Sequence, residues 1–229
     1  MSEDVRRMFA SISDRYDLLN TVLSLGIHHR WRKKAVKVSG ASEGMNVLDC
    51  ATGTGDLAIV FKKAVGQNGS VTGTDFAAEM LEQAPVKSKK KGLEITWEVA
   101  DAMNLPYDDN RFDISSIAFG IRNVDEPLTA LSEMARVVRP GGKVIVLEFG
   151  QPSGLIKYPY MWHSKYVIPV VGGWISGNRE AYRYLPETSA AFPAGEKFVS
   201  LMKKTGQFTS FSTTPLIQGI ANIYSGTVR

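Results

Sequence analysis

The stretch Val47-Leu48-Asp49-Cys50-Ala51-Thr52-Gly53-Thr54-Gly55-Asp56-Leu57-Ala58 decides the fold. An apolar run ends in an acidic residue, a Gly-x-Gly turn follows, and the next residues have a helical pattern. This order is typical of a buried parallel strand that leads into a helix whose amino end cradles a ligand. Gly53 and Gly55 lack a Cβ atom, so the backbone there can turn tightly and approach a ligand closely. The stretch predicts a Rossmann-like α/β fold.

The glycine loop alone does not identify its ligand. Gly53-x-Gly55-x-x-Ala58 also satisfies the dinucleotide pattern of NAD-dependent oxidoreductases. Asp49 argues against that ligand, because a carboxylate beside a pyrophosphate in a partly dry cleft meets a like charge. An acidic residue there suits a ligand with an ammonium group. S-adenosylmethionine carries an ammonium and a sulfonium and has no phosphate.

Two further acidic residues follow the next two predicted strands. Asp75 ends residues 70–75, where the ribose-binding acid of a Rossmann-like unit is expected. Asp101 follows the apolar residues 94–99 and could accept a hydrogen bond from the adenine amino group, with the Ala102 backbone beside it. Three acids at three successive strand ends favour S-adenosylmethionine. The alternative is that Asp49 and Asp101 only cap helices.

Composition fits one α/β domain. The chain has 229 residues, a net charge of +4 and a single cysteine, Cys50, so it holds no internal disulfide. The lysine run of residues 87–91 is interpreted as a solvated helix end, and we predict no nucleic-acid partner. No stretch has the pattern of a signal peptide or of a bilayer span. We therefore expect a cytoplasmic protein, with a visit to the membrane surface left open.

The remaining pattern predicts a seven-stranded, mostly parallel sheet. The first strand and helix lie within residues 45–61, and a helix from Glu79 is interrupted by Pro85. A helix over residues 127–138 is stopped by Arg139-Pro140-Gly141-Gly142, and the last helix covers residues 196–204. The other predicted strands are residues 70–75, 94–99, 112–119, 143–149, 208–214 and 220–228, of which the final two are antiparallel.

Two segments stand outside this alternation. Residues 1–40 are predicted to be helical, either as a lid with Phe9, Tyr16 and Asp17 facing a substrate or as a cap with one solvated face. Residues 150–190 form a long aromatic insert after the fifth strand, which suits a flat ring with an apolar tail or a flap with its own small core. His28 and His29 are adjacent and do not share a helix face, so we predict no metal site.

The loop Gly120-Ile121-Arg122-Asn123-Val124 follows the predicted fourth strand. Ligands bind at the carboxyl ends of the strands in open α/β sheets, so Arg122 and Asn123 are candidates for the active cleft. The alternative is that Arg122 pairs with a loop carboxylate and Asn123 caps the next helix.

These motifs resemble a known family. Asp49-x-Ala51-x-Gly53-Thr54-Gly55, Asp75 and Asp101-Ala102 are similar to the class I S-adenosylmethionine-dependent methyltransferases, although Ala51 stands where those proteins usually have glycine. More narrowly, the chain resembles the menaquinone/ubiquinone biosynthesis C-methyltransferases of the UbiE/MenG type. Three motifs carry that resemblance: Phe9-x-x-Ile12-Ser13-x-x-Tyr16-Asp17-x-x-Asn20, Ala118-Phe119-Gly120-Ile121-Arg122-Asn123-Val124 and Tyr182-Arg183-Tyr184-Leu185.

The resemblance implies methyl transfer to a ring carbon of a prenylated quinol within a single domain, residues 1–229. We favour demethylmenaquinol over a benzoquinol. Other readings are another apolar acceptor or a non-catalytic assembly subunit. The cofactor-binding candidates are Asp49, Gly53, Thr54, Gly55, Asp75, Phe76, Asp101, Ala102 and Ala118, the last standing where the family often has serine.

The ring chemistry adds roles for the remaining candidates. A quinol hydroxyl must lose its proton before the ring carbon becomes a good nucleophile, and a nearby cation lowers the hydroxyl's pKa. We predict that Arg122 stabilises the phenolate, that Asn123 orients it and that Tyr182 or Tyr184 contacts the substrate. The base is water, His163 or Asp17. A polyprenyl tail stays in the bilayer, so residues 30–34 and 155–175 are predicted to contact a membrane surface. A homodimer is left open.

Overall fold

A seven-stranded sheet forms the centre of the molecule, and the predicted mostly parallel sheet is confirmed. The computed structural model describes residues 3–176 and 188–229. The strands lie in the order β3-β2-β1-β4-β5-β7-β6, and β7 runs antiparallel to both of its neighbours, β5 and β6. The strands are β1 (Asn46–Cys50), β2 (Ser70–Asp75), β3 (Thr96–Val99), β4 (Phe112–Ala118), β5 (Val138–Phe149), β6 (Phe208–Leu216) and β7 (Ala221–Val228).

Helices cover both faces of the sheet. The described α-helices are α1 (Glu3–Ile12), α2 (Tyr16–Leu23), α3 (Ile27–Ser39), α4 (Asp56–Val65), α5 (Ala78–Leu81), α6 (Gln83–Lys90), α7 (Pro127–Arg136), α8 (Lys157–Trp162), α9 (Ile168–Ser176) and α10 (Glu196–Lys204). A π-helical turn, His163–Val167, joins α8 to α9. Within the described ranges, no helix combines the length and the apolarity needed to cross a bilayer.

Strand β1 shows why the sequence folds this way. Its side chains alternate between two hydrophobic cores: Val47 packs with α3 and α4 on one face, and Leu48 packs with α7 on the other. A strand buried on both faces is continuously apolar, as in other parallel sheets. The chain leaves β1 towards β2 and returns as β4 on the other side of β1. This reversal of strand order opens a crevice at the carboxyl ends of β1 and β4.

Two local predictions were wrong in detail. The segment Arg139–Gly142, predicted to be a helix stop, lies within β5, because Val138 already pairs with Phe112 on β4. The helix from residue 78 breaks at Glu82, and Pro85 lies in the first turn of α6. A proline is tolerated there because the amide hydrogens of the first turn have no partner within the helix.

The N-terminal helices and the insert pack against each other above the crevice. Ile12, Leu19 and Leu23 from the N-terminal helices form a small hydrophobic cluster with Ile168 of α9. Both segments thereby lie over the carboxyl ends of β1 and β4, where they can cover a bound ligand.

Candidate active site

A large apolar chamber lies between the sheet, the N-terminal helices and the insert. Its volume is about 440 Å³. Phe119 forms its wall together with Phe149, at 4.7 Å between ring centroids, and with Trp31, at 6.2 Å. Tyr16 on α2 and Tyr160 on α8 contribute polar edges. Such a chamber, mostly apolar with a few polar groups, is the usual form of a small-molecule site.

A second, narrower cavity adjoins the chamber. It is lined by Asp75, Phe76, Met80, Asp101 and Ala102, with Asn123 at its edge. The two cavities share five lining residues: Tyr16, Ala51, Gly53, Ala118 and Phe119. A single elongated ligand can therefore span both, with one end among the acids and the other in the apolar chamber.

The glycine loop is held against the end of β2. The Gly53 amide donates to Asp75 Oδ2 at 2.8 Å, and the Ala77 amide donates to Oδ1 at 2.9 Å. Gly55 has a positive φ of 83°, and a Cβ atom there would lie 2.5 Å from the Trp97 ring. Packing against Trp97, rather than close approach of a ligand, explains Gly55.

The loops after β1 and β4 touch each other across the crevice. A Cβ atom on Gly120 would lie 2.7 Å from the Cβ of Ala51, so only glycine fits there. Ala51 itself has a φ of 46° and Phe119 a φ of 56°. Non-glycine residues in this region are strained, and such strain is frequent at binding sites. Glycine would adopt the left-handed backbone of Ala51 without this strain.

Asp49 is buried at the tip of β1 and lines the chamber. Ser116 donates to Oδ1 and Thr52 donates to Oδ2, both at 2.6 Å. Burial raises the pKa of Asp49 to about 6, although these hydrogen bonds and the charge of Arg32 oppose the shift. Asp49 is not the N-cap residue of α4, which is Gly55, but its carboxylate also accepts a hydrogen bond from the Ala58 amide in the first turn of that helix. Its carboxylate can accept a further hydrogen bond from an ammonium group.

Asp101 and Asp75 present oxygens to the narrower cavity. Asp101 Oδ1 accepts from the Met103 amide at 2.9 Å in a turn, so it does not cap a helix. Burial raises the pKa of Asp75 against three backbone hydrogen bonds. Phe76 is 38% exposed at the rim, and Ala118 has no hydroxyl to offer a ligand. These acceptors and apolar surfaces fit the hydroxyls and the adenine of S-adenosylmethionine.

Arg122 faces the apolar chamber and is ion-paired. Its Nη1 donates to Glu148 Oε1 at 2.7 Å and to the Phe119 carbonyl at 2.6 Å. The side chains are 4% and 1% exposed. Arg122 Nε and Glu148 Oε2 are buried and make no hydrogen bond within the described residues. Arg122 therefore has a carboxylate partner, but Glu148 lies on strand β5 and not in a loop as the alternative supposed.

Asn123 lines the narrower cavity, whereas Arg122 lines the chamber. The two candidates thus face different parts of the crevice. Asn123 does not cap α7, whose N-cap is Glu126 and has no side-chain cap. Tyr182 and Tyr184 lie outside the described residues, as does the side chain of Phe9.

A polar network ties the N-terminal helices to the glycine loop. Lys87 on α6 bonds to Asp17 on α2, to Thr54 Oγ1 at 3.1 Å and to Asp56 Oδ1 at 2.6 Å. Thr54 in turn donates to Asp17 Oδ1 at 2.6 Å. The interpretation of Lys87 as a solvated residue was wrong, because it is mostly covered and holds three separate segments together.

The prediction for Arg32 on α3 was also wrong. It was grouped with the basic residues 30–34 as a membrane contact, but it is only 8% exposed and lines the chamber. Its Nη1 contacts His28 Nδ1 and lies 3.2 Å from Asp56 Oδ2. The buried face of α3 repeats every three to four residues through His28, Trp31, Arg32, Ala35 and Val36. That periodicity could have identified Arg32 as an inward residue.

The rings of the adjacent His28 and His29 lie close together, with centroids 3.9 Å apart. Together with Asp56 they offer three ligand atoms within 4.8 Å of one another. However, Arg32 contacts both His28 and Asp56, and a cation there opposes a metal ion. The absence of a metal site stays a prediction.

Comparison with known proteins shows which family the chain resembles. The model of the ubiE/COQ5 methyltransferase family matches residues 1–228. A ubiquinone/menaquinone biosynthesis C-methyltransferase UbiE from Bdellovibrio bacteriovorus is 57% identical and covers 99% of this chain and 97% of its own length. A demethylmenaquinone methyltransferase from Deinococcus radiodurans is 44% identical, and the match covers 98% of this chain and 92% of that protein.

Solved structures agree on the fold. A methyltransferase from Thermotoga maritima, described as S-adenosylmethionine-dependent and a possible histamine N-methyltransferase, has a TM-score of 0.68 at 22% identity, with 97% of this chain and 99% of that chain covered. The predicted fold, methyltransferase class and S-adenosylmethionine cofactor are confirmed by these matches. The chain belongs to the ubiE/COQ5 methyltransferase family.

Proposed function

We propose that this protein methylates a ring carbon of demethylmenaquinol, a 2-polyprenyl-1,4-naphthoquinol, and so forms menaquinol. One observation carries the proposal: an apolar, aromatic chamber of about 440 Å³ joins the acid-lined cavity at Ala118 and Phe119. A flat apolar ring and a cofactor can meet at this junction. The names of the two curated relatives support a quinone-biosynthesis enzyme. A polyprenyl-benzoquinol is the second candidate, because the Bdellovibrio name covers both pathways.

S-adenosylmethionine supplies an activated methyl group on its sulfonium. We assign Asp75 to the ribose hydroxyls, Asp101 and the Ala102 backbone to the adenine, Phe76 to the adenine face, and Asp49 to the ammonium. Gly53, Thr54 and Ala118 complete the walls of the crevice, whereas Gly55 lines neither cavity and packs against Trp97. The N-terminal helices and the insert exclude water above it.

Arg122 is the group that we assign to the quinol oxygen. Its charge reaches the chamber, since it lowers the pKa of Tyr160 and Tyr16 against the larger upward effect of burial. The same charge favours the phenolate over the neutral hydroxyl. Asn123 and the undescribed Tyr182 and Tyr184 remain proposed substrate contacts.

One proton leaves the substrate overall. The hydroxyl loses its proton to form the phenolate, the methylated ring carbon then loses its proton as the ring becomes aromatic again, and the oxygen takes one proton back in the product quinol. His163 lines the chamber, and burial lowers its pKa, so the imidazole is neutral at neutral pH and can accept a proton. Asp17 is held by Lys87 and Thr54 and does not line the chamber. We therefore favour His163 or water as the base.

The roles of the two outer segments follow from this assignment. We propose that residues 1–40 act as a lid and residues 150–190 as a substrate-binding insert of one methyltransferase domain, 1–229. The insert exposes Leu155, Tyr158, Trp162 and Trp174, and Arg30, Lys33 and Lys34 are exposed on α3. Apolar and basic groups together suit an anionic lipid surface at the inner face of the membrane, where the polyprenyl tail resides. The homodimer stays a prediction.

The decisive experiment is a methyl-transfer assay with labelled S-adenosylmethionine. Reduced demethylmenaquinone and a reduced demethylated ubiquinone precursor, each with a short prenyl tail, are offered separately. We expect label in the naphthoquinol. The oxidised quinones are the matched controls and should accept nothing, because they have no hydroxyl to ionise. Transfer only to the benzoquinol would move the enzyme to the ubiquinone pathway, and transfer to neither would overturn the proposal.

A further inference from the structure

We propose that Arg32 binds the α-carboxylate of S-adenosylmethionine, so that the N-terminal helical segment completes the cofactor site. The inference rests on the proposed function for the cofactor alone and is independent of the quinol. It concerns a residue outside the motifs by which the family was identified.

The methionine end of the cofactor requires a cation in the crevice. Its ammonium and carboxylate are attached to the same carbon atom, so their partners must lie close together. Asp49 is the partner assigned to the ammonium. A buried carboxylate that finds no donor or cation loses its hydration without compensation. The residue that binds it must therefore lie near Asp49 and line the chamber.

Four described lining residues of the chamber are basic: His28, Arg32, Arg122 and His163. Burial lowers the pKa of both histidines, that of His28 to about 3, so both are neutral at neutral pH. Arg122 is already ion-paired with Glu148 and is assigned to the quinol oxygen. Arg32 remains as the cation that can meet a carboxylate.

The position of Arg32 in the chamber fits the binding of this carboxylate. It lines the chamber together with Asp49, Thr52 and Thr54, and its charge lowers the pKa of Asp49, which places it within electrostatic reach of that carboxylate. It also neighbours Asp56, the first residue of α4 after the glycine loop. The positions of these groups suit a zwitterion with its ammonium at Asp49 and its carboxylate at Arg32.

The donors of Arg32 suit this role. In the described part of the chain, both contacts of the guanidinium are made by Nη1, to His28 and Asp56. Nη2 and Nε are left for the two oxygens of a carboxylate, which arginine binds in a fork. Asp56 keeps Lys87 at 2.6 Å when Arg32 turns to the ligand. The rearrangement leaves no carboxylate without a cation.

Calorimetric binding with two ligands tests the assignment in the absence of any quinol. S-adenosylmethionine and its decarboxylated form differ only by the carboxylate. For Arg32→Met we expect a 10- to 100-fold weaker Kd for S-adenosylmethionine, the usual worth of a charge-assisted hydrogen bond. The Kd of the decarboxylated form should change less than about threefold. Lys33→Met, an exposed neighbour on α3, is the matched control and should alter neither.

Two results would overturn the proposal. An equal loss of affinity for both ligands would make Arg32 a structural residue, and unchanged affinity for S-adenosylmethionine would remove it from the site. If Arg32→Met does not fold, Arg32→Lys keeps the charge without the fork and should weaken only the carboxylate-bearing ligand. Failure of quinol methylation with this ligand difference intact would overturn the proposed function and leave Arg32 assigned.

Discussion

Two buried arginines line the same chamber, but their surroundings differ. Arg122 has one carboxylate partner, Glu148 at 2.7 Å, and both side chains are almost completely covered. Arg32 lies 3.2 Å from Asp56, which Lys87 also contacts at 2.6 Å. A one-to-one pair sealed from water is a fixed part of the wall, because neither member can move without leaving a buried charge. A shared carboxylate allows one cation to leave, so Arg32 can turn towards a ligand.

The largest difference is expected in stability. Glu148→Gln removes the charge, keeps the shape and leaves Arg122 buried without a counter-ion, which costs about 3–5 kcal/mol of unfolding free energy. Arg32→Met leaves Asp56 paired with Lys87 and should cost less than about 2 kcal/mol. Urea unfolding of the two variants at neutral pH measures the difference. Equal losses would show that the two arginines are held in the same way.

A third ion pair, which is exposed, tests whether burial determines the loss of stability. Arg139 Nε lies 2.7 Å from Asp113 Oδ1, the same distance as in the Arg122 pair, but the Arg139 side chain is 58% exposed. Arg139→Met should change the unfolding free energy by less than about 1 kcal/mol, as for other exposed pairs. A loss as large as that of Glu148→Gln would mean that pairing, and not burial, determines the effect.

Kinetic measurements should show that Arg122 acts in methyl transfer and Arg32 in cofactor binding. The double variant Arg122→Met/Glu148→Gln has no unpaired buried charge, and we expect kcat about 10²- to 10³-fold lower, as when one oxyanion donor is removed. Its Kd for S-adenosylmethionine should stay within about threefold. Arg32→Met should show the reverse, with a raised Kd and nearly normal kcat at saturating cofactor. Normal turnover of the double variant would exclude Arg122 from stabilising the phenolate.

Local patterns in the sequence predicted the sheet and the acids of the crevice. The apolar runs and the acids that end them depend on a few consecutive residues, and Asp49, Asp75 and Asp101 lie at adjacent strand ends as expected. Hydrophobic burial on both faces of a parallel sheet leaves a clear local signal.

The partners of the charged residues could not be predicted in the same way. Lys87 meets Asp17 across 70 positions, and Arg122 meets Glu148 across 26. Such pairs form only when distant segments of the chain come together in the fold. A run of lysines in the sequence does not show which of its members becomes buried. Arg32 was missed because it lies in the basic run of residues 30–34, which was predicted to contact a membrane, although the spacing of the buried residues on α3 indicates that Arg32 faces inward.

The smallest effect concerns the pH dependence of cofactor binding. Burial raises the pKa of Asp49 to about 6, so below that pH the carboxyl is neutral and cannot pair with an ammonium. Binding then requires the loss of one proton, and the affinity for S-adenosylmethionine should fall about tenfold per pH unit below about 6 and be level above it. Calorimetry at intervals between about pH 5 and about pH 8 measures this slope. Asp49→Asn should remove the slope, whereas Arg32→Met should keep it at lower affinity. If the slope persists in Asp49→Asn, the titrating group is Asp75, whose pKa is also raised by burial.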